Sequence, residues 1–372
     1  MSISHPKSVV LLGAGVSEPF GMPLGGQLID LIADQIERET PDALGEDFAG
    51  RKGFDPQRVV NWVNAEHWHQ HPIYGTAIRS VMQRGSLDHA AAINVHKEVQ
   101  TLRQLLRNQT AETIDSFIAE NPNSALLTKR LVAAMLLRAS YDAPPAHSGR
   151  PLTLKNFSER VLKCNHRRSS STLPLMERNW IHLLINLIRH AIDDQKIGPA
   201  NKVKIITFNY DTILEHVLES QFANRESPLE PFGRYVKILH VHGQVGQLDP
   251  VCADPGHVAT EWADGISIVK ESNPPSKVCE DREEARALIA AAHGVYAAGF
   301  AFAGPNCRLL GLDKQPTNHI RRMVYCNFDG NRGIKESAAR YGSHVEEVPG
   351  EWSRPLSVTD FIRAGYLGEP PS

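Results

Sequence analysis

Ser8-Val9-Val10-Leu11-Leu12-Gly13-Ala14-Gly15-Val16-Ser17 is the stretch on which the fold turns. A short continuous apolar run with β-branched residues ends on Gly13, the pattern of a strand buried on both faces in a parallel sheet. Leu28, Ile29, Leu31, Ile32 and Ile36 then recur at helical spacing and place a helix at about residues 24 to 38. Glycines between such a strand and helix let the backbone approach a pyrophosphate, and the amides of a helix N-terminus favour an anion. The loop begins like the dinucleotide fingerprint G-x-G-x-x-G, but Glu18 stands where the third glycine belongs. No second strand with a ribose-binding acid comes at the spacing that motif needs, so an ordinary dehydrogenase is disfavoured. Taken alone, the loop is a tight turn nearly as often as a phosphate site.

Further along, the apolar segments of residues 55 to 195 have helical period, as in Val99, Leu102, Leu105 and Leu106 or Leu131, Val132, Met135 and Leu136. Two stretches read as loops: Tyr141-Asp142-Ala143-Pro144-Pro145 through Pro151, and the basic Asn165-His166-Arg167-Arg168-Ser169-Ser170-Ser171. After Gly198-Pro199 short apolar strands alternate with loops and helices, and strands are expected at 203–208, 236–241, 295–298, 323–326 and 345–348. With residues 8–12 they make about six. The fold class is therefore α/β, a Rossmann-like doubly wound parallel sheet carrying a large helical insertion. Residues 1–40 supply its first strand and helix, 41–198 the insertion, and 199–372 the remainder.

Composition narrows the functions. The 372 residues, 41% of them hydrophobic, suffice for a sizeable core, and a formal net charge of -2 gives no footprint of a nucleic-acid binder. The longest apolar run, Trp180-Ile181-His182-Leu183-Leu184-Ile185-Asn186-Leu187-Ile188, is shorter than the ~20 residues of a membrane helix and reads as a core helix. The N-terminal residues lack a signal-peptide layout, which predicts a cytoplasmic protein. Cys164, Cys252, Cys279, Cys307 and Cys326 form no C-x-x-C pair, so neither a disulfide framework nor a four-cysteine zinc site is indicated. His67, His69 and His71 place two ligands on one helical face, with no third or fourth ligand at a recognisable spacing.

Three more constellations end expected strands. In Ile205-Ile206-Thr207-Phe208-Asn209-Tyr210-Asp211 the apolar run stops at a polar cluster, with Asp211 placed to cap a helix over 212–220. Asn209 then stands at the carboxyl end of a strand, where open α/β sheets hold ligands; a turn hydrogen bond is the equal alternative. In Lys237-Ile238-Leu239-His240-Val241-His242-Gly243 the strand runs into His242, a natural acid-base group, while His240 reads as structural. Tyr296-Ala297-Ala298-Gly299-Phe300-Ala301-Phe302 ends on a glycine that gives one more close approach, and Cys326-Asn327-Phe328-Asp329 is a weaker candidate for an adenosine side.

Taken in order, Gly13-Ala14-Gly15-Val16-Ser17 with Gly21-Met22-Pro23, Thr207-Phe208-Asn209-Tyr210-Asp211, Val241-His242-Gly243 and Gly299-Phe300-Ala301-Phe302 resemble the succession of motifs in sirtuins, especially sirtuin-like proteins of bacterial anti-phage defence. Asp115 in Thr113-Ile114-Asp115-Ser116-Phe117 is similar to an acidic motif in the helical insertion of that branch. The resemblance implies an NAD site in which Gly13, Ala14, Gly15 and Ser17 hold phosphates and ribose, with Asp211, Gly299 and Phe300 beside them. It implies that Asn209 contacts the nicotinamide-side ribose or the attacking water and that His242 is the general base. The zinc module of deacylating sirtuins is missing, so no zinc is expected and acyl-lysine chemistry is disfavoured.

The expected activity is an NAD hydrolase releasing nicotinamide and ADP-ribose, gated as an effector of anti-phage defence. The rival from another class is a non-catalytic module sensing NAD or ADP-ribose; an NAD-dependent deacylase ranks third. Expected partners are a second copy of the chain and an ATPase or other defence protein, with no membrane and no direct nucleic-acid contact.

Overall fold

β1 (Ser8–Leu12) lies within a six-stranded sheet, and all five of its residues are buried. The computed structural model describes residues 3–43, 72–73, 75–77, 89–111, 113–142, 151–157, 180–223, 231–269, 271, 273–314, 320, 322–326, 332–342 and 344–347. Among them the other strands are β2 (Tyr141–Asp142), β3 (Leu152–Leu154), β4 (Val203–Thr207), β5 (Val236–His240), β6 (Val251–Cys252), β7 (Gly294–Ala298), β8 (Arg322–Cys326) and β9 (Val345–Glu347). The named helices are α1 (Gly25–Ala43), α2 (His89–Asn108), α3 (Ile114–Glu120), α4 (Ala125–Ser140), α5 (Trp180–Asp193), α6 (Ile213–Ala223), α7 (Pro255–Gly265), α8 (Ser276–Ala291), α9 (Gly304–Leu309) and α10 (Arg332–Ala338).

Contacts divide the chain into two units. The first comprises Met1–Phe20, Asn156–Gly243 and Asn273–Ser372. Its sheet runs β5-β4-β1-β7-β8-β9, and every pairing is parallel. Counted along the chain, its strands stand in the order 3-2-1-4-5-6 of a Rossmann-like fold, with the reversal between β1 and β7. Ser8 pairs with Gly294 and Leu12 with Ala298, so both strands end level and deliver Gly13 and Gly299 to the same point. All six expected strands are present, each within a residue or two of its expected bounds. Their apolar runs are explained by burial: Val9, Leu11, Ile205, Ile206, Val295 and Val324 are sealed from solvent, each contributing roughly 1.5–3 kcal/mol. The run at 180–193 is a helix whose Trp180, Ile181, Leu184, Ile185 and Ile188 are buried, as expected of a core helix.

The second unit comprises Gly21–Lys155 and Gln244–Ser272. Here α1 packs on α2, α3 and α4, while α4 also packs on α7. Thr113 caps α3 by accepting a hydrogen bond from the Ser116 amide, which sets Asp115 in the first turn of that helix. A local element of this unit differs from expectation. Tyr141-Asp142, read from its sequence as the start of a loop, forms β2, the first strand of an antiparallel sheet ordered β2-β3-β6. Strands of two or three residues carry no period of their own, and pairing between distant segments creates them. The Tyr141 hydroxyl ties the same region down by donating to the Asp249 carbonyl at 2.9 Å.

His67, His69, His71, Asn165 to Ser171 and Asn327 to Asp329 lie outside the described residues. Among the described residues no helix is long and apolar enough to cross a membrane, and no group of three or more His, Cys, Asp or Glu is arranged to hold a metal.

Candidate functional site

The loop after β1 does not enter an α-helix directly. It makes two short 3-10 turns, Ala14–Val16 and Glu18–Phe20, with the Val16 amide donating to the Gly13 carbonyl and the Ser17 amide to that of Ala14. Its glycines meet another backbone. A Cβ on Gly13 would stand 2.2 Å from the Gly299 carbonyl oxygen, and one on Gly15 would stand 3.1 Å from the Gly299 Cα. The Gly13 amide donates to the Ala298 carbonyl at 3.0 Å. Gly299 is itself at φ +60°, where glycine is the residue that fits. The glycines at the switch point thus let two strand ends meet backbone to backbone.

From β4 the chain passes through Phe208 to Asn209, which is buried. Its main-chain amide donates to Thr207 Oγ1 at 3.1 Å, and its Nδ2 donates to Ser17 Oγ at 2.8 Å. The Ser17 hydroxyl in turn hydrogen-bonds the Asp211 carboxyl. With Asp211 as the carboxylate the relay runs one way, from amide to hydroxyl to carboxyl, and fixes which end of the Asn209 amide faces Ser17. The other end, Oδ1, is buried without a hydrogen-bond partner among the described residues. Leaving such an acceptor unmet costs about 1–3 kcal/mol, and native structures keep few of them. Asp211 accepts from the Ile213 amide at the start of α6, as expected of a cap. Burial pushes its carboxyl above the ordinary range, against the hydrogen bonds from Ser17 and Ile213.

At the end of β5 both histidines are buried, and they differ in their surroundings. The His240 ring spans two acceptors, the Asn209 main-chain oxygen at 3.1 Å from Nδ1 and Glu215 Oε1 at 2.5 Å from Nε2. Burial disfavours its charge, but Glu215, the Asn209 carbonyl and Asp211 outweigh that and raise its pKa. A raised folded value means that the pair stabilises the fold fully below the pKa of an unfolded histidine. That contribution is lost as pH rises through the raised value. Among the described residues β5 is an edge strand, and α8 satisfies its end: Asp281 accepts from the His240 amide at 3.2 Å, and Arg282 donates to the Val241 carbonyl at 2.8 Å.

His242 packs edge-on against Phe208 with ring centroids 5.0 Å apart, and Tyr210 lies 6.0 Å away. Phe208 meets Phe300, and Phe300 meets Phe302, so a row of aromatic rings joins the ends of β4, β5 and β7. Phe300 is buried within that row. Phe302 has φ +52°, a conformation that a bulky side chain adopts at a cost of about 1–3 kcal/mol and that clusters at functional sites.

A cavity of about 10 Å³ opens among Ser17, Thr207, Asn209, Asp211, Glu215 and His240, closed on its apolar side by Phe20, Trp180 and Ile181. That is roughly the room one water needs. The structure thus brings Ser17, Asn209 and Asp211 into one polar cluster, and Gly13, Ala14, Gly15, Gly299 and Phe300 to the same sheet edge. His242 shares that edge through Phe208 but does not line the cavity; His240 does. Sequence reasoning missed Glu215 and Trp180. Glu215 had a signal in standing four residues after Asp211, one turn along α6. Trp180 gave none, and its Nε1 donates to the Val16 carbonyl at 2.8 Å, clasping the glycine loop.

Neither the protein-family models nor the curated proteins include a match to this sequence. The functional reading therefore rests on the cluster itself. Because Trp180 forms the wall of the cavity and bonds the loop, a ligand that enters must change its surroundings. A small molecule that enters the cavity is expected to shift the tryptophan emission of the wild-type chain, and Trp180→Phe is expected to remove most of that shift. An equal shift in the variant would place the entry of the ligand elsewhere.

Proposed function

We propose that this chain takes NAD as substrate at the carboxyl edge of its parallel sheet and hydrolyses the bond between nicotinamide and ribose. The observation that carries this reading is Asn209 Oδ1, a buried acceptor left unmet beside the glycine loop of a 3-2-1-4-5-6 sheet. A ribose hydroxyl or a water is the kind of donor that would meet it. In the reaction the C1′–N bond breaks, its electron pair leaves with nicotinamide, and the oxygen of water bonds to C1′ to give ADP-ribose and a proton. The path is oxocarbenium-like and the leaving group is already good, so the protein has chiefly to orient the reactants. Asn209 orients the ribose or the water. His242 accepts the proton, a role worth typically ~10²–10⁴-fold. Gly13, Ala14, Gly15 and Ser17 face the phosphates and ribose, with Asp211, Gly299 and Phe300 around them.

The described cavity, room for about one water, is far below the roughly 300–1,000 Å³ of a small-molecule site, so a dinucleotide needs more room than it offers. That fits a gated effector of anti-phage defence, released in the cytoplasm by self-association or by a partner such as an ATPase. One observation favours a second reading, a non-catalytic NAD or ADP-ribose sensor: His242 is absent from the walls of the cavity that Asn209 lines. Chromatography of NAD incubated with the purified chain, with and without candidate activators, separates the two. Release of nicotinamide that His242→Ala lowers by ~10²-fold or more supports the hydrolase. NAD binding with no nicotinamide under any condition leaves the sensor.

A further inference from the structure

We propose that His240 and Glu215 are positioning residues for Asn209, and that its alignment depends on which ring nitrogen of His240 keeps a proton. This rests on the reading of Asn209 as the group that meets the substrate. The geometry is specific. One imidazole, almost wholly buried, stands between a main-chain oxygen of Asn209 and a carboxylate oxygen of Glu215. Two acceptors call for two N–H donors, and an imidazole has both only when it is charged.

The groups around the ring are Glu215 from α6, Asp211 from the turn before α6, and His242 two residues along the chain. From α8, Asp281 accepts from the His240 amide and pairs with Lys277, and Arg282 holds the Val241 carbonyl. Glu215 makes the direct ion pair, so it is the group that favours the charged ring most strongly. A buried ion pair is a poor source of net stability, since an apolar pair of the same volume often does as well. What this pair does that an apolar pair does not is hold the carbonyl of Asn209.

When His240 gives up one proton, the carboxylate keeps the other on Nε2. Nδ1 then turns a lone pair toward the lone pairs of the Asn209 oxygen, and the hydrogen bond that fixes this residue is lost. Glu215→Gln reverses the choice. A glutamine amide donates to Nε2, which leaves the neutral ring with its proton on Nδ1, facing Asn209. A pair with a structural role alone gives a different result, a loss in the variant that is the same at every pH.

The experiment follows the ¹⁵N resonances of the His240 ring and of the Asn209 side-chain amide against pH in the full chain, for wild type and Glu215→Gln. The pH profiles of kcat and KM for NAD are measured alongside. In the wild type, both ring nitrogens are expected to be protonated at neutral pH, with Nδ1 losing its proton on the alkaline side as the Asn209 amide signal moves. There kcat falls by ~10–10²-fold while KM holds within about twofold. In Glu215→Gln the Nδ1 proton persists, the Asn209 signal stays in place and the alkaline fall disappears. A wild-type ring that is neutral at neutral pH overturns the proposal, as does an Asn209 signal that ignores the His240 titration. The wild-type titration decides this even if the variant does not fold. If no NAD is cleaved with or without candidate activators, the hydrolase reading fails, and the Asn209 signal still decides whether the pair positions this residue.

Discussion

Asn209→Ala is expected to lower NAD turnover by at least ~10²-fold, the range for deleting an oriented polar group at a reacting centre, and to leave thermal stability unchanged or raised. The second half is unusual for a buried residue. Truncation removes the hydrogen bond to Ser17, worth ~0.5–1.5 kcal/mol, but it also removes the unmet Oδ1, whose burial costs about 1–3 kcal/mol. The small cavity left beside Ser17 and Thr207 is polar and adjoins room for a water, so it can hydrate. A structural asparagine gives the reverse pattern, a lower melting temperature with turnover retained. Calorimetry and NAD chromatography on the same preparation therefore distinguish a residue kept for its chemistry from one kept for its packing. Retained turnover with a fall in melting temperature would remove Asn209 from the mechanism.

The sheet was legible because a parallel strand buried on both faces is an apolar run that stops at a turn residue. Residues 8–12, 203–207 and 294–298 stop at Gly13, Phe208-Asn209 and Gly299. Such runs also mark the carboxyl edge where ligands bind, which is how Asn209 and His242 came into view. What spacing leaves out is the partner across space. His240 and His242 stand two apart at the end of β5, and the sequence favours His242 for acid-base work and reads His240 as structural. The difference lies in Glu215, 25 residues earlier on another element, and in the Asn209 carbonyl. β2 escaped for the same reason, since its hydrogen bonds go to β3 and their existence depends on pairing alone. Gly13 was legible as a close approach, but a glycine does not say what approaches it. The neighbour is Gly299.

Gly13→Ala is accordingly expected to destabilise the protein by ~3 kcal/mol or more, whether or not NAD is present. Its Cβ would lie 2.2 Å from the Gly299 carbonyl oxygen and 2.9 Å from the Phe300 Cα, and both are backbone atoms at the meeting of two central strands. Overpacking by one methyl costs typically 1–3 kcal/mol where side chains can give way, and here none is in the way to move. Gly299→Ala is expected to be comparably severe. It adds a strained φ of +60° to contacts of 2.8 Å with the Val16 amide and 3.0 Å with Gly15. Gly15→Ala, at 3.1 Å from the Gly299 Cα, should be the mildest of the three. Urea midpoints of the three variants test this order. If the glycines served only to admit a pyrophosphate, all three alanines would leave the midpoint in place and weaken NAD alone. If they let the two strand ends meet, the order tracks the clash distances.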